Sequence, residues 1–191
     1  MSAAPRDIRI VAGLGNPGPE YALTRHNAGF AAVDALAARV GVRYWKDEAG
    51  CLVAQATVAG REVLLAKPQG FMNTSGGPLS KLLRAEGATA AELLVVHDEV
   101  DLAPGMVKVR LGGGLNAHNG LRSISDKLGT RDFPRVRVGI GRPPGRMDVA
   151  TYVLRQLKGA FADEFASTAE QAASTVETCV EQGVTWAAEH V

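Results

Sequence analysis

Residues 8–30 read IRIVAGLGNPGPEYALTRHNAGF, and the succession of an apolar run, a breaker cluster and a helical period within them decides the fold. Residues 8–14 have the pattern of a strand buried on both faces. Gly15, Asn16, Pro17, Gly18 and Pro19 end it, because glycine and proline favour turns and proline lacks the N–H a helix interior needs. Asn27 has the side chain of an N-cap, and Phe30, Val33, Ala37 and Val40 then recur at helical spacing until Gly41. A buried strand leading through a turn into an amphipathic helix opens an α/β layer structure. Gly13, Gly15 and Gly18 also satisfy the letter of the Gly-x-Gly-x-x-Gly dinucleotide fingerprint. That chemistry needs a helix opening at the second glycine, so that its N–H groups meet a pyrophosphate. Here Pro17 and Pro19 remove donors and the helix waits until about Asn27, so NAD binding is rejected.

Outward from this unit the alternation continues. Residues 51–58 and 62–66 read as strands joined by a turn at Ala59 and Gly60, and a helix is expected over 78–84. The short apolar run 93–96 fits a central strand, and 106–111 and 135–140 alternate as further strands on either side of a helix over 119–128. Phe165, Ala169, Ala172, Val176 and Cys179 form the apolar stripe of a long amphipathic helix. The expected architecture is an α/β sandwich: one mixed, largely parallel central sheet flanked by helices. It forms a single domain over residues 1–191, and the helical region from about 148 to 191 belongs to it. With 46% hydrophobic and 21% charged residues in 191, intrinsic disorder is excluded. The start MSAAPRDIRI lacks the apolar core of a secretory leader, and no run approaches the ~18 apolar residues of a membrane span, so a cytoplasmic protein is expected. Cys51 and Cys179 stand too far apart in sequence to suggest a disulfide framework or a zinc knuckle and read as buried small hydrophobes.

The net charge is only +1, but residues 106–146 hold nine Lys and Arg against Asp126 and Asp132, while residues 159–191 hold six acids and no Lys or Arg. Such segregation fits a basic face presented to a polyanion. Polar residues cluster where the strands are expected to end. Asn16 follows the first strand, His97, Asp98 and Glu99 end the run that begins at Leu93, and Phe71, Met72 and Asn73 follow the 62–66 strand. In open α/β sheets ligands gather at carboxyl ends of strands, which groups these residues in one crevice. His26 precedes the first helix, whose dipole disfavours a charged imidazole, so a neutral ring is expected. Paired with the Asp98 carboxylate, such a ring can take a proton from water. Metal chemistry is the rival use of His26, His97, Asp98, Glu99 and His118, but no His-Glu-x-x-His or comparable spacing occurs, and no metal is expected. A serine nucleophile lacks its Gly-x-Ser-x-Gly elbow. The loop Gly112, Gly113, Gly114 lacks the Gly-Lys-Ser/Thr of a P-loop, and Arg110 and Arg137 on the flanking strands suit phosphate contacts.

The blocks GLGNPGPEYALTRHNAGF, KPQGFMNTSG, VVHDEVDL, KVRLGGG, HNGLRS and RVRVGIGRP, in this order over about residues 8–146, resemble the bacterial peptidyl-tRNA hydrolase family. The resemblance implies a monomeric α/β enzyme, without metal or organic cofactor and without a stable protein partner or membrane attachment. Its reaction is cleavage of the ester between a peptide and the 3′ ribose of tRNA. On the matching positions, His26 is the general base and Asp98 supports its proton-accepting form. Asn16 distinguishes N-blocked from free aminoacyl-tRNA. Tyr21, Phe71, Met72, Asn73, His118 and Asn119 hold the acceptor end and the peptide, and Arg110 and Arg137 grip the 5′-phosphate. A non-catalytic RNA-binding protein on the same scaffold is the alternative; it needs the basic face but not the His26–Asp98 pair. The chain departs from the family's pattern at Asn116 and Ala117, where Gly-Gly is usual, and lacks the usual Asn-Arg near its C-terminal end. Asn tolerates a left-handed backbone and Ala does so poorly, which predicts an unaltered path at 116, a shift or mild strain at 117, and a weaker hold on the acceptor end.

Overall fold

The computed structural model of the chain describes residues 7–191; most of the start that was read for a secretory leader, residues 1–6, lies outside the described residues. Seven strands form one sheet: β1 (Ile10–Gly13), β2 (Lys46–Glu48), β3 (Cys51–Val58), β4 (Arg61–Pro68), β5 (Leu93–Glu99), β6 (Val107–Arg110) and β7 (Arg135–Gly139). The helices are α1 (Ala28–Arg39), α2 (Gly76–Glu86), α3 (Asn119–Leu128), α4 (Val149–Leu154), α5 (Ala160–Gln182) and α6 (Val184–His190). The strand order is β2-β3-β4-β1-β5-β7-β6. The four inner strands, β4, β1, β5 and β7, run parallel to one another, and antiparallel pairing in the sheet is confined to β2–β3, β3–β4 and β6–β7 at the two sides. The expected mixed sheet with a parallel centre is thus present. β2 was not expected, since three charged residues at an edge carry no apolar alternation.

β5 is buried along its whole length. Leu94 and Val96 pack with Val33, Leu36 and Val176 in the core under α1 and α5, while Leu93 and Val95 pack with Leu79, Leu82 and Ile124 under α2 and α3. Burial on both faces explains why its sequence runs apolar without alternation. Cys51 and Cys179 are both buried free thiols, as expected, and burial pushes each up to about 12.

The glycines of the apparent dinucleotide fingerprint serve helix packing instead. A Cβ on Gly13 would lie 2.3 Å from the Gly29 carbonyl oxygen, and one on Gly15 would lie 2.7 Å from the Phe30 ring. The start of α1 therefore fills the space that a pyrophosphate would take. Asn27 occupies the N-cap position of α1, yet its side chain makes no capping bond. It bonds the Asn16 backbone instead.

Candidate active site

Because β4, β1 and β5 are parallel neighbours, their carboxyl ends open on the same side, and the loops that leave them carry the polar residues singled out from the sequence. Asn27 closes the connection from β1 to α1 on itself, and Asn16 joins it to the loop after β4. The Asn27 Oδ1 accepts the backbone N–H of Asn16 and its Nδ2 donates to the Asn16 carbonyl, both at 2.9 Å. Asn16 in turn accepts the backbone N–H of Met72 on Oδ1 at 2.7 Å. These bonds are buried, so each satisfies a polar group that would otherwise be stranded. The Asn16 Nδ2 has no partner among the described residues and remains accessible at the cleft. Spacing alone had suggested capping for Asn27; a buried side-chain amide bonded to a distant backbone leaves no trace in local sequence.

The cleft, about 480 Å³, is lined by Asn16, Tyr21, His26, Phe71, Met72, Asn73, Asp98, His118 and Asn119, so the nine expected cleft residues do converge. It is also lined by Asn116 and Ala117 of the loop that departs from the family's pattern, and by Val100 and by Val149, Ala150, Val153 and Leu154 of α4, for whose place at the cleft the sequence carries no signal. α4 is a short helix opened by an Asp148 cap on the Thr151 N–H, a signal that marks a helix but not what it covers. α4 and the segment after it are tied to the His26 turn: the Arg25 guanidinium lies 4.0 Å over the Tyr152 ring, and Leu157 donates to the Leu23 carbonyl at 2.8 Å.

At the floor of the cleft Asp98, 3% exposed, receives two imidazoles. His26 Nδ1 lies 2.9 Å from Oδ2 and His118 Nε2 lies 2.8 Å from Oδ1. His118 Nδ1 accepts the backbone N–H groups of Gly120 and Leu121 as the cap of α3. That assigns its proton to Nε2, so His118 is a donor to Asp98 and both its nitrogens are engaged within the protein. Any contact with a substrate falls to its ring. His26 likewise donates Nδ1–H to Asp98, leaving the Nε2 lone pair without a partner among the described residues and open to the cleft. The facing atoms of His26, Asp98 and His118 lie within 4.8 Å of one another. A metal there would have to displace both N–H···carboxylate bonds.

Burial pushes the His26 imidazolium down, but the charge and hydrogen bond of Asp98 more than offset burial, and the ring titrates above its ordinary 6.5. The dipole argument for a neutral ring is thus opposed by the Asp98 carboxylate, which favours the charged form. For Asp98, burial raises the carboxyl, and the two imidazoles outweigh burial and hold it well below the usual carboxylate range. His97, by contrast, turns away. Its Nδ1 bonds the Asp98 backbone carbonyl at 2.8 Å, its Nε2 is buried without a partner, and burial, with His118 beside it, pushes it down to about 3.

Beyond this floor, β6 and β7 form a basic edge. Lys108 pairs with Arg137 and Arg110 with Arg135 in register, so the four cations share one face. Arg135 is buried, and it donates to the carbonyls of Gly113, Gly114 and Arg131. The glycine loop is thus fixed by Arg135 from within. Burial and then the nearby Arg110 and Arg137 push Arg135 down to about 10, a sign of concentrated positive potential. Arg110 is exposed, and Arg137 donates Nε–H to Glu99 Oε1 at 3.1 Å. Asn116 and Ala117 have φ of 48° and 57°; both are left-handed, a conformation Asn accepts more readily than Ala.

A family profile described as peptidyl-tRNA hydrolase matches residues 10–191. The peptidyl-tRNA hydrolase of Frankia alni is 51% identical over 175 residues, covering 92% of this chain and 89% of its own. That of Rhodococcus erythropolis is 48% identical over 179 residues, covering 93% and 94%. The crystal structure of the Acinetobacter baumannii peptidyl-tRNA hydrolase superposes with a TM-score of 0.88 at 33% identity, over 98% of this chain and 96% of that one. With sequence, sheet topology and the matched length in agreement, the chain belongs to the peptidyl-tRNA hydrolase family.

Proposed function

We propose that the chain hydrolyses the ester between a peptide, or another N-blocked aminoacyl group, and the 3′ ribose of tRNA, with His26 as general base. The observation that carries this is the free His26 Nε2 facing the cleft while Nδ1–H is held by buried Asp98. His26 Nε2 takes a proton from water as the water oxygen attacks the ester carbonyl carbon. Asp98 stabilises the imidazolium that forms and keeps the ring in the productive tautomer. The tetrahedral intermediate collapses by breaking the bond to the ribose oxygen, which receives the proton back from His26, giving free tRNA and peptide. The exposed Asn73 amide, on the cleft wall and without a protein partner among the described residues, supports a role in positioning water or stabilising the oxyanion.

The free Asn16 Nδ2 supports recognition of the amide carbonyl that an N-blocked substrate has and a free aminoacyl group lacks. Tyr21, Phe71, Met72 and Asn119, with the His118 ring, line the path for the acceptor end and the peptide. Arg110 and Arg137 serve as the grip on the 5′-phosphate. The reading is of one domain, supported by α5 and α6 sharing a core with the sheet, acting as a cytoplasmic monomer without cofactor. Among the described residues no helix is long and apolar enough to cross a membrane. The His26–Asp98 pair favours the enzyme over a binding protein on the same scaffold. The test is to give purified protein N-acetylated and free aminoacyl-tRNA in a chelator and follow ester release. Release from the acetylated substrate only is expected; equal release, or none, contradicts the reading.

A further inference from the structure

We propose that Glu99 is a positioning residue for substrate phosphate recognition, and that Asn116 anchors it, so that the loop before α3 and the basic edge of the sheet act as one unit. The inference rests on the 5′-phosphate grip proposed above.

Glu99 follows Asp98 at the end of β5 and is 3% exposed. A carboxylate buried to this degree is costly unless its oxygens are engaged. Oε1 accepts Nδ2–H of Asn116 at 2.7 Å and Nε–H of Arg137 at 3.1 Å, and Oε2 accepts the backbone N–H of Asp101 at 3.4 Å. Two segments distant in sequence, the loop at Asn116 and β7 at Arg137, thus meet on one side chain, which the turn at Asp101 also ties. The mode of attachment of Arg137 matters most. It is held through Nε, and neither terminal guanidinium nitrogen has a partner among the described residues. Five donors in a planar fork allow this division: one edge fixes the side chain and the other presents two parallel N–H groups to an oxyanion. Fixing the fork before the ligand arrives removes rotamer freedom that binding would otherwise have to remove.

Asn116 completes the unit. Its backbone is left-handed, as is that of Ala117, with φ of 48° and 57°. Left-handed backbone is disfavoured for an L-residue, and the Asn116–Glu99 bond on one side and the His118–Asp98 bond on the other hold the loop in place. Consecutive carboxylates of β5 therefore fix the two ends of one loop, Asp98 through His118 and Glu99 through Asn116. In the sequence Asn116 is a departure expected to weaken the loop's hold on the acceptor end; its amide also supplies a tie that glycine lacks.

The experiment compares KM for N-acetylated aminoacyl-tRNA with and without its 5′-phosphate. Asn116→Gly permits the same φ and keeps the Glu99 charge while deleting the amide. Glu99→Asp keeps the charge but draws the carboxylate back by one methylene. The wild type should show a roughly tenfold or larger KM ratio between dephosphorylated and phosphorylated substrate, the scale of a charge-assisted hydrogen bond, and Arg137→Ala should lower it, Arg110 keeping part of the effect. Asn116→Gly and Glu99→Asp should both lower the ratio, with the change in KM for the phosphorylated substrate alone. A merely structural role would move both substrates together. A wild-type ratio in Asn116→Gly overturns the inference even if Glu99→Asp does not fold. If the wild type itself is indifferent to the phosphate, the grip on which the inference rests fails and takes the inference with it. A ratio that Arg137→Ala lowers and Asn116→Gly leaves intact overturns only the positioning role.

Discussion

His26 is governed by one neighbour, and that fixes how activity should follow pH. Protonation at Nε2 removes the lone pair, so kcat/KM should rise with pH through the His26 pKa. Because Asp98 holds that pKa above 6.5, the acid limb is expected above 6.5. Replacing the carboxylate by an amide leaves burial unopposed, and burial lowers an imidazole pKa. Asp98→Asn should therefore move the acid limb to lower pH while reducing the plateau rate; a limb that stays put, measured as kcat/KM against pH, would show that Asp98 does not control the ring. The pairing of His26 with Asp98 was legible in the sequence because each residue stands at a place the fold makes predictable, one at the entry to a helix and the other at the end of a buried strand. The engagement of His118 was not, since which nitrogen faces which partner is set by packing. The same holds for Asn27, whose type promised a cap and whose side chain spans the gap to Asn16 instead.

At the level of elements, the position of His26 depends on how closely α1 approaches the sheet. A Cβ on Gly29 would lie 2.2 Å from the Val96 carbonyl oxygen and 2.4 Å from the Leu14 backbone nitrogen. Backbone cannot yield as a side-chain tip does. Gly29→Ala should therefore destabilise by about 3 kcal/mol, roughly 6–12 °C in Tm, at the high end for overpacking. It should also lower activity in the folded fraction by pushing the His26 turn away from Asp98. Thermal unfolding together with the rate per folded molecule checks both, and an unchanged Tm would mean the contact is soft. Elements with a strong period, such as α1, α5 and β5, were legible because burial dictates their pattern. β2 and the placement of α4 over the cleft were not: the first has no apolar face, and the second depends on the long-range ties through Leu157 and Arg25.

For the whole molecule, the segregated charge read from the sequence corresponds to real geography. Lys108, Arg110, Arg135 and Arg137 share one face of the sheet edge, whereas α5, on the other side of the sheet, contributes acids that bind Arg39 through Glu170 and Glu177. tRNA affinity should therefore fall steeply with salt, and Arg110→Ala or Arg137→Ala should each reduce the slope of log K against log salt by about one, since one fewer counterion is released. Titrations across a range of salt concentrations would reveal an unaltered slope if these residues lie off the path of the nucleic acid. Binding alone, however, would equally suit a protein without chemistry, so the account stands or falls on the proton transfer at His26. The direct measurement is single-turnover hydrolysis of N-acetylated aminoacyl-tRNA by wild type and His26→Ala, with enzyme in excess and tRNA binding measured in parallel. The account predicts a rate lower by at least the ~10²–10⁴ factor of a lost general base, with binding retained; near-normal hydrolysis by His26→Ala would contradict it.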